Sequence, residues 1–155
     1  MRSRFLPEGR LLHTPENEAA CASRDGLRRA MEEETVLEGV AQLCDGAHNL
    51  LVSVGPFTGF LPREEAALGI AEGTTREIAI LSRVGKPVCF QITALEESEG
   101  VLRPRLSRRR AQQAALDAML AGLHPGCILP AVVTHLESFG AFVDIGCGVP
   151  SLIGI

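Results

Sequence analysis

Two groups of side chains in the second half of the sequence could carry recognisable chemistry. The first is a pair of phenylalanines, Phe139 and Phe142, around Gly140, in a chain that has neither Trp nor Tyr. Exposed aromatic rings stack on flat π systems, and guanidinium groups contact phosphate. The second group is a run of arginines: Arg103, Arg105, Arg108, Arg109 and Arg110. Together, the aromatic rings and the guanidinium groups favour a ligand that is both aromatic and anionic.

The net charge of −4 hides an uneven distribution of charge along the chain. Residues 1–99 carry ten basic and sixteen acidic side chains, whereas residues 100–155 carry five and three. Salt confines the field of a charged patch to about 10 Å, so a local basic patch can contact phosphate even on an acidic protein. Arginines at the start of a helix oppose the helix dipole, and an anionic partner would compensate for this. The alternative is that they are simply solvated.

Short β-type runs surround the phenylalanines and predict the start of a small antiparallel barrel. They are Ile128–Leu136, Ala141–Ile145 and Ser151–Ile155, separated by turn-like pieces. Residues three apart point to opposite faces of a regular strand, so at least one phenylalanine is expected in the core unless Gly140 permits a bulge. Pro130 lies inside the first predicted strand and would need an edge position there.

An earlier stretch repeats this order. Setting Val36–Val40 over Ile128–Val132 gives an offset of 92, and setting Leu51–Gly55 over Phe142–Gly146 gives 91. Two spans with nearly the same offset indicate tandem copies of one module. Strands of the first copy are expected at Val36–Cys44, Asn49–Val54, Phe57–Leu61, Val88–Leu95 and Val101–Leu106.

Helical patterns flank the first copy. Thr14 and Pro15 predict a helix start after an extended arm, and the helix runs to Glu34 with a break near Ser23–Gly26. Pro62–Leu68 is expected to form a short helix, and residues 76–83 a second short helix or turn. Ser107 is the expected cap of a helix over Arg108–Leu123 that connects the two copies.

The second copy resembles a known family. Gly126 before an apolar strand, the phrase Phe139–Gly146 and then Ser151–Ile155 are similar to the S-one domain, the RNA-binding repeat of small-subunit ribosomal protein one. The ending Leu106-Ser107-Arg108 resembles the close of the same domain. The resemblance implies a five-stranded oligonucleotide-binding barrel, with Phe139 and Phe142 on the RNA-facing surface and Arg103 in a slot for a basic RNA contact.

The sequence also departs from the family pattern. Gly154 stands where the family often has a histidine, and His48 and Leu51 stand where the second copy has its phenylalanines. The first copy is therefore expected to lack most of an aromatic platform, and to bind RNA weakly or dock against protein.

The predicted organisation is mainly β with helices. An N-terminal arm and helix (1–32) precede a first S-one-like domain (33–107), a linker helix (108–123) and a truncated second S-one domain (124–155). No apolar run approaches the roughly 20 residues of a membrane span, and no signal core follows the N-terminus, so the default location is cytoplasmic.

Catalysis finds little support, because no nucleophile elbow, glycine-rich phosphate loop or H-E-x-x-H motif is present. The five cysteines form no C-x-x-C pair, so neither a metal nor another cofactor is expected. The predicted function is non-catalytic binding of single-stranded RNA, messenger or ribosomal, in translation, with the small ribosomal subunit as a second partner. Two alternatives stay open: a protein module that docks on the ribosome, and a fragment of an enzyme with an RNA-binding appendage.

Overall fold

The computed structural model describes residues 5–155, which form a closed five-stranded barrel, a separate three-stranded sheet and helices around them. An arm over residues 5–13, which forms turns and bends where an extended segment was predicted, leads into two short helices, α1 (Pro15–Cys21) and α2 (Arg24–Glu32). The predicted bent helix is therefore two helices with separate caps. The Oγ atoms of Thr14 and Ser23 accept hydrogen bonds from Asn17 N and Gly26 N at 3.2 Å and 3.1 Å.

The barrel consists of five strands whose order is β1-β2-β3-β5-β4, with β4 pairing back onto β1. This arrangement confirms the predicted oligonucleotide-binding barrel. The parallel contact between β3 and β5, through Phe60 and Arg105, closes it. The strands are β1 (Leu37–Cys44), β2 (Leu50–Val54), β3 (Phe57–Leu61), β4 (Pro87–Ser98) and β5 (Val101–Ser107).

Alternating side chains fill the barrel interior, as period-two patterning requires. Phe90 is the largest fully buried side chain of this core, and Leu27 of α2 covers one side of it. Between β3 and β4 lie a 3-10 turn (Arg63–Glu65) and a short helix, α3 (Ile78–Leu81). The hairpin between β4 and β5 turns at Glu99 and Gly100, which both have positive φ.

The helix α4 (Arg108–Gly122) starts at its predicted cap, because Arg110 N donates to Ser107 Oγ at 3.0 Å. It does not stand free as a connector. Ala111 and Ala115 are fully buried against Cys89, whose side chain points away from the barrel interior. Since Val88 and Phe90 face the interior, β4 is buried on both faces.

Three antiparallel strands follow α4 in the order β6-β7-β8: β6 (Val132–Glu137), β7 (Gly140–Asp144) and β8 (Pro150–Gly154). The expectation that Pro130 lies inside the first of these strands is wrong, because β6 begins two residues later. Proline thus needs no special edge position in this sheet.

The second sheet repeats the pairing of β1, β2 and β3. Ala41 pairs with Val52 and Leu43 with Leu51, with an irregularity between them. Shifted by 92 and 91, the same pairs recur as Val133 with Val143 and His135 with Phe142, again around an irregularity. The repeat seen in the sequence is thus a repeat of backbone register, bulge included.

Among the residues that the structure describes, no helix is both long enough and apolar enough to cross a lipid bilayer.

Candidate nucleic-acid interface

The outer face of the second sheet carries a row of three side chains on neighbouring strands. His135 of β6 lies opposite Phe142 of β7, which lies opposite Leu152 of β8. The inner face of the same sheet corresponds to the interior of the barrel, since Val143 matches the buried Val52. The two faces can therefore have separate functions.

The aromatic cluster consists of Phe139, Phe142 and His135. The rings of Phe139 and Phe142 meet edge to face, with centroids 6.1 Å apart and an interplanar angle of 87°. The His135 ring stacks on Phe142 at 6.2 Å and 28°. Phe139 is 54% exposed and Phe142 is half-buried, so neither ring lies in the core. Both rings reach the same surface because Phe139 lies in the turn before β7, where side chains do not alternate between the two faces of the sheet.

Gly140 allows this turn to lie close to β8. A Cβ at this position would lie 2.4 Å from the carbonyl oxygen of Ile153, a distance that a backbone neighbour does not tolerate. Ile155 N donates to the carbonyl oxygen of Phe139 at 3.1 Å, which ties the turn to the end of β8. The glycine between the phenylalanines thus serves strand packing, and strand packing sets the position of Phe139.

His135 was missed by sequence reasoning, which placed it only within the predicted strand Ile128–Leu136. Its Nε2 lies 2.6 Å from Glu137 Oε1. The repeat in the sequence could have revealed it. His135 occupies the position of Leu43 in the first copy, and Leu43 pairs with Leu51. Leu51 in turn occupies the position of Phe142.

The barrel carries the corresponding row, formed by Leu43, Leu51, Phe60 and Arg105 on β1, β2, β3 and β5. The guanidinium carbon of Arg105 lies 5.4 Å from the centroid of the Phe60 ring, a cation–π geometry. The row of the first copy therefore contains a single aromatic ring. Its aromatic ring is on β3 instead of β2.

The predicted arginines do not form one patch. Arg103 and Arg105 share the outer face of β5, because Leu102, Pro104 and Leu106 between and around them point inward. Arg105 also lies 3.8 Å from Glu96.

The arginines at the start of α4 lie in different surroundings. Arg109 lies 3.8 Å from Glu65 and 4.0 Å from Glu72, and Arg110 is exposed. Among residues 5–155, neither Arg103 nor Arg110 forms an ion pair. These two are the most available cations of the predicted set.

Arg108 is buried, and its guanidinium is fully engaged inside the protein. Its Nη2 and Nε donate to the two carboxylate oxygens of Glu8 at 2.6 Å and 2.9 Å, and its Nη1 donates to Ala66 O at 3.1 Å. Burial alone would raise the pKa of the Glu8 carboxyl, but the facing Arg108, together with Arg83 and the N–H of Cys89, outweighs it and holds that pKa below its ordinary value. Phosphate could reach Arg108 only by displacing Glu8.

Glu8 and Arg108 belong to a larger buried group, the Glu8 cluster, defined by Glu8, Arg83, Arg108 and Asp144. Arg83 lies 3.5 Å from Glu8, and the backbone N–H of Glu8 donates to Asp144 at 2.8 Å. The arm thereby contacts the barrel, α4 and the second sheet at one point. Sequence reasoning could not find this cluster, because its members lie up to 136 positions apart.

The fold is a closed barrel of the oligonucleotide-binding type that carries Phe60 and Arg105 on its outer face, beside a three-stranded sheet that carries the aromatic cluster. No protein-family model matches the chain, and no curated protein sequence does. Among solved structures, the chain is similar to the solution structure of GSP13 from Bacillus subtilis, with a TM-score of 0.37 and 19% identity. The match covers 63% of this chain and 64% of that one, which is less than two thirds of its length.

Proposed function

We propose that the protein binds single-stranded RNA without catalysis, with bases stacking on the aromatic cluster of the second sheet. The observation that carries this is the position of Phe139 and Phe142, whose rings touch each other on an accessible surface instead of filling the core. Apolar rings are normally buried, and a pair with one exposed and one half-buried ring offers a surface for unpaired bases.

Phosphate contacts would come from the cations that the fold leaves accessible. Arg103 and Arg105 lie on the outer face of the barrel, and Arg105 presents its guanidinium over Phe60. Arg110, which is exposed, and Arg109, which lies beside Glu65 and Glu72, form a second group at the start of α4. Arg108 is not among the proposed contacts because its guanidinium is already paired with the carboxylate of Glu8.

The biological setting that we propose is translation. The resemblance of both copies to the S-one domain of ribosomal protein one favours messenger or ribosomal RNA as the ligand and the small ribosomal subunit as a partner.

The test of stacking is RNA affinity, measured by fluorescence anisotropy with a labelled single-stranded oligonucleotide. Stacking of a base on an aromatic ring is worth about 1 to 3 kcal/mol, so Phe142→Ala should weaken binding by roughly 5-fold to 150-fold. Phe142→Tyr keeps the ring and should bind like the parent. Phe142→Leu keeps apolar volume without the ring and should bind like the alanine variant.

The test of phosphate contact is the salt dependence of the same affinity. The plot of log K against log salt has a negative slope, and each lost phosphate contact to a single strand makes it shallower by about 0.7. Arg103→Ala and Arg110→Ala should each do so, whereas Arg10→Ala, on the arm, should not. The proposal fails if the full chain shows no RNA affinity at low salt, or if the Phe142 and arginine variants all bind unchanged. Because the proposed binding is not catalytic, the RNA should be recovered intact after incubation with the protein.

A further inference from the structure

An acidic side chain, Glu137, lies at the rim of the aromatic cluster. It follows His135 by two positions on β6, so both side chains lie on the outer face of the sheet. The 2.6 Å contact between His135 Nε2 and Glu137 Oε1 places the carboxylate directly beside the rings. The side chain of Glu137 is 43% exposed. The cluster therefore has a carboxylate that stacking alone does not use.

The pairing of β6 and β7 keeps this carboxylate within reach of a stacked base. Glu137 lies opposite Gly140, so no side chain stands directly across from it. Phe139, with its exposed ring, immediately precedes that glycine. Directly opposed residues of two strands are about 5 Å apart, which is less than the width of a base. A base stacked on the cluster can thus present its edge to Glu137.

The carboxylate of Glu137 has unused capacity for hydrogen bonds. An ionised carboxylate offers about four acceptor positions and no donor. His135 occupies one of these positions, and no other group among residues 5–155 donates to Glu137. A ligand that pairs with the remaining positions must supply N–H or O–H groups.

The first copy contains a carboxylate at the matching position, but that carboxylate is already engaged. Asp45 corresponds to Glu137 at the offset of 92. Its Oδ1 accepts from the backbone N–H groups of Ala47 and Asn49, both at 2.9 Å, and its Oδ2 accepts from Asn49 Nδ2 at 3.1 Å. Asp45 holds its own turn together, whereas Glu137 faces the cluster with acceptor positions to spare.

The four RNA bases differ in what they present to such a carboxylate. Guanine carries N1–H and an N2 amino group side by side on its Watson–Crick edge, and two parallel donors match two carboxylate oxygens. Adenine and cytosine each present one amino group beside an acceptor nitrogen. Uracil presents one N–H between two carbonyl oxygens, which a carboxylate repels. A carboxylate beside a stacked base therefore favours guanine and opposes uracil.

We propose that Glu137 is a specificity-determining residue that selects guanine at the aromatic cluster through the Watson–Crick edge of the base. This role depends on the RNA binding proposed above and adds a preference to it. A carboxylate also repels phosphate, so Glu137 weakens the binding of any strand that offers it no donors. Its contribution is discrimination between strands and not affinity for RNA in general.

The test compares short oligouridine strands of equal length that differ only at the central base, which is guanine, hypoxanthine or uracil. Hypoxanthine lacks the N2 amino group of guanine and keeps N1–H. Fluorescence anisotropy should show the guanine strand binding about 10-fold more tightly than the uracil strand, because hydrogen bonds to a charged group are strong. The hypoxanthine strand should lie between the two.

Glu137→Gln keeps the shape of the side chain but replaces one oxygen by an amide NH₂, which can donate to a carbonyl oxygen of uracil. The variant should lose the preference for guanine, chiefly by binding the uracil strand more tightly. Glu99→Gln is the matched control, because it removes the same charge from the exposed turn between β4 and β5. It should keep the full preference.

Equal affinity of the parent for the three strands, or a preference for uracil, would overturn the selection of guanine while RNA binding itself stands. A Glu137→Gln variant that binds all three strands more tightly by one common factor would also overturn it, since that result indicates general repulsion of phosphate. Absence of binding to every strand would overturn both the RNA-binding function and the role of Glu137.

Discussion

Arg108 and Arg110 are two positions apart at the start of α4, and the fold gives them opposite environments. One guanidinium is buried on Glu8 and the other is in solvent. The arginine run was readable from the sequence, but this division was not. It depends on a carboxylate 100 positions earlier, on an arm whose composition indicates only an extended segment.

Arg108→Ala should destabilise the protein strongly. The change leaves Glu8 buried without its main counter-charge, and breaking a buried pair in this way costs about 3 to 5 kcal/mol. Urea unfolding measures the loss. Arg110→Ala removes an exposed side chain and should change the free energy of unfolding by less than about 0.5 kcal/mol. Equal stability of the two variants would contradict the buried role of Arg108.

Glu38 should give stability an unusual pH dependence. Burial raises the pKa of its carboxyl to about 7 from the ordinary 4.5, although the N–H groups of Gly9 and Leu11 donate to it. Between pH 4.5 and 7 the folded state therefore binds more protons than the unfolded state, and the contribution of Glu38 to stability falls as pH rises.

The measurement is the difference in free energy of unfolding between the parent and Glu38→Gln across that range. The parent should lose stability relative to the variant as pH rises from 4.5 to 7. Glu8 has the opposite shift, so its contribution is lost below pH 4.5 and does not fall in the same window. A flat difference curve would show that Glu38 titrates normally.

At the scale of elements, alternation and caps were the reliable signals. Val88, Phe90 and Ile92 marked β4, and Ser107 marked the start of α4, because burial and capping act over a few residues. The aromatic cluster was harder to predict, since Phe139 lies in a turn where period-two reasoning does not apply. Phe60 was missed because its partner, Arg105, is on a strand that meets β3 only when the barrel closes.

Gly140→Ala should separate β8 from β7. The added methyl would lie 2.4 Å from the Ile153 carbonyl oxygen, so the strands must move apart. Faster amide hydrogen exchange in β8 and a displaced Phe139 ring, followed by NMR, are the expected results. Gly154→Ala is the matched control, since a Cβ there meets nothing within 4 Å and should leave the hairpin intact.

The whole molecule is held together by contacts that no local pattern predicts. The sequence predicted two modules joined by a linker helix. Instead, the arm, the barrel, α4 and the second sheet meet at the Glu8 cluster and at a small core that includes Cys89, Met119 and Cys147. Leu6 and Cys147 add a backbone hydrogen bond of 2.9 Å across the same junction.

Gly148→Ala should loosen this junction without touching either sheet. A Cβ there would lie 2.3 Å from Arg108 Nη2 and 2.4 Å from Glu8 Oε1, at a φ of 74° that disfavours alanine. Limited proteolysis between α4 and β6 should become faster, and small-angle scattering should report a larger radius of gyration. Gly46→Ala, in a turn with open space around it, should change neither result.

The shared bulge of the two copies has a consequence for protein engineering. The copies have the same strand pairing, residue for residue, while the outer row differs at every position: Leu43 against His135, Leu51 against Phe142 and Phe60 against Leu152. The phenylalanine of this row lies on β3 in the first copy and on β7, the counterpart of β2, in the second. Because the backbone geometry is common to both copies, the outer row is a natural place for exchanging residues between them in engineered chimaeras.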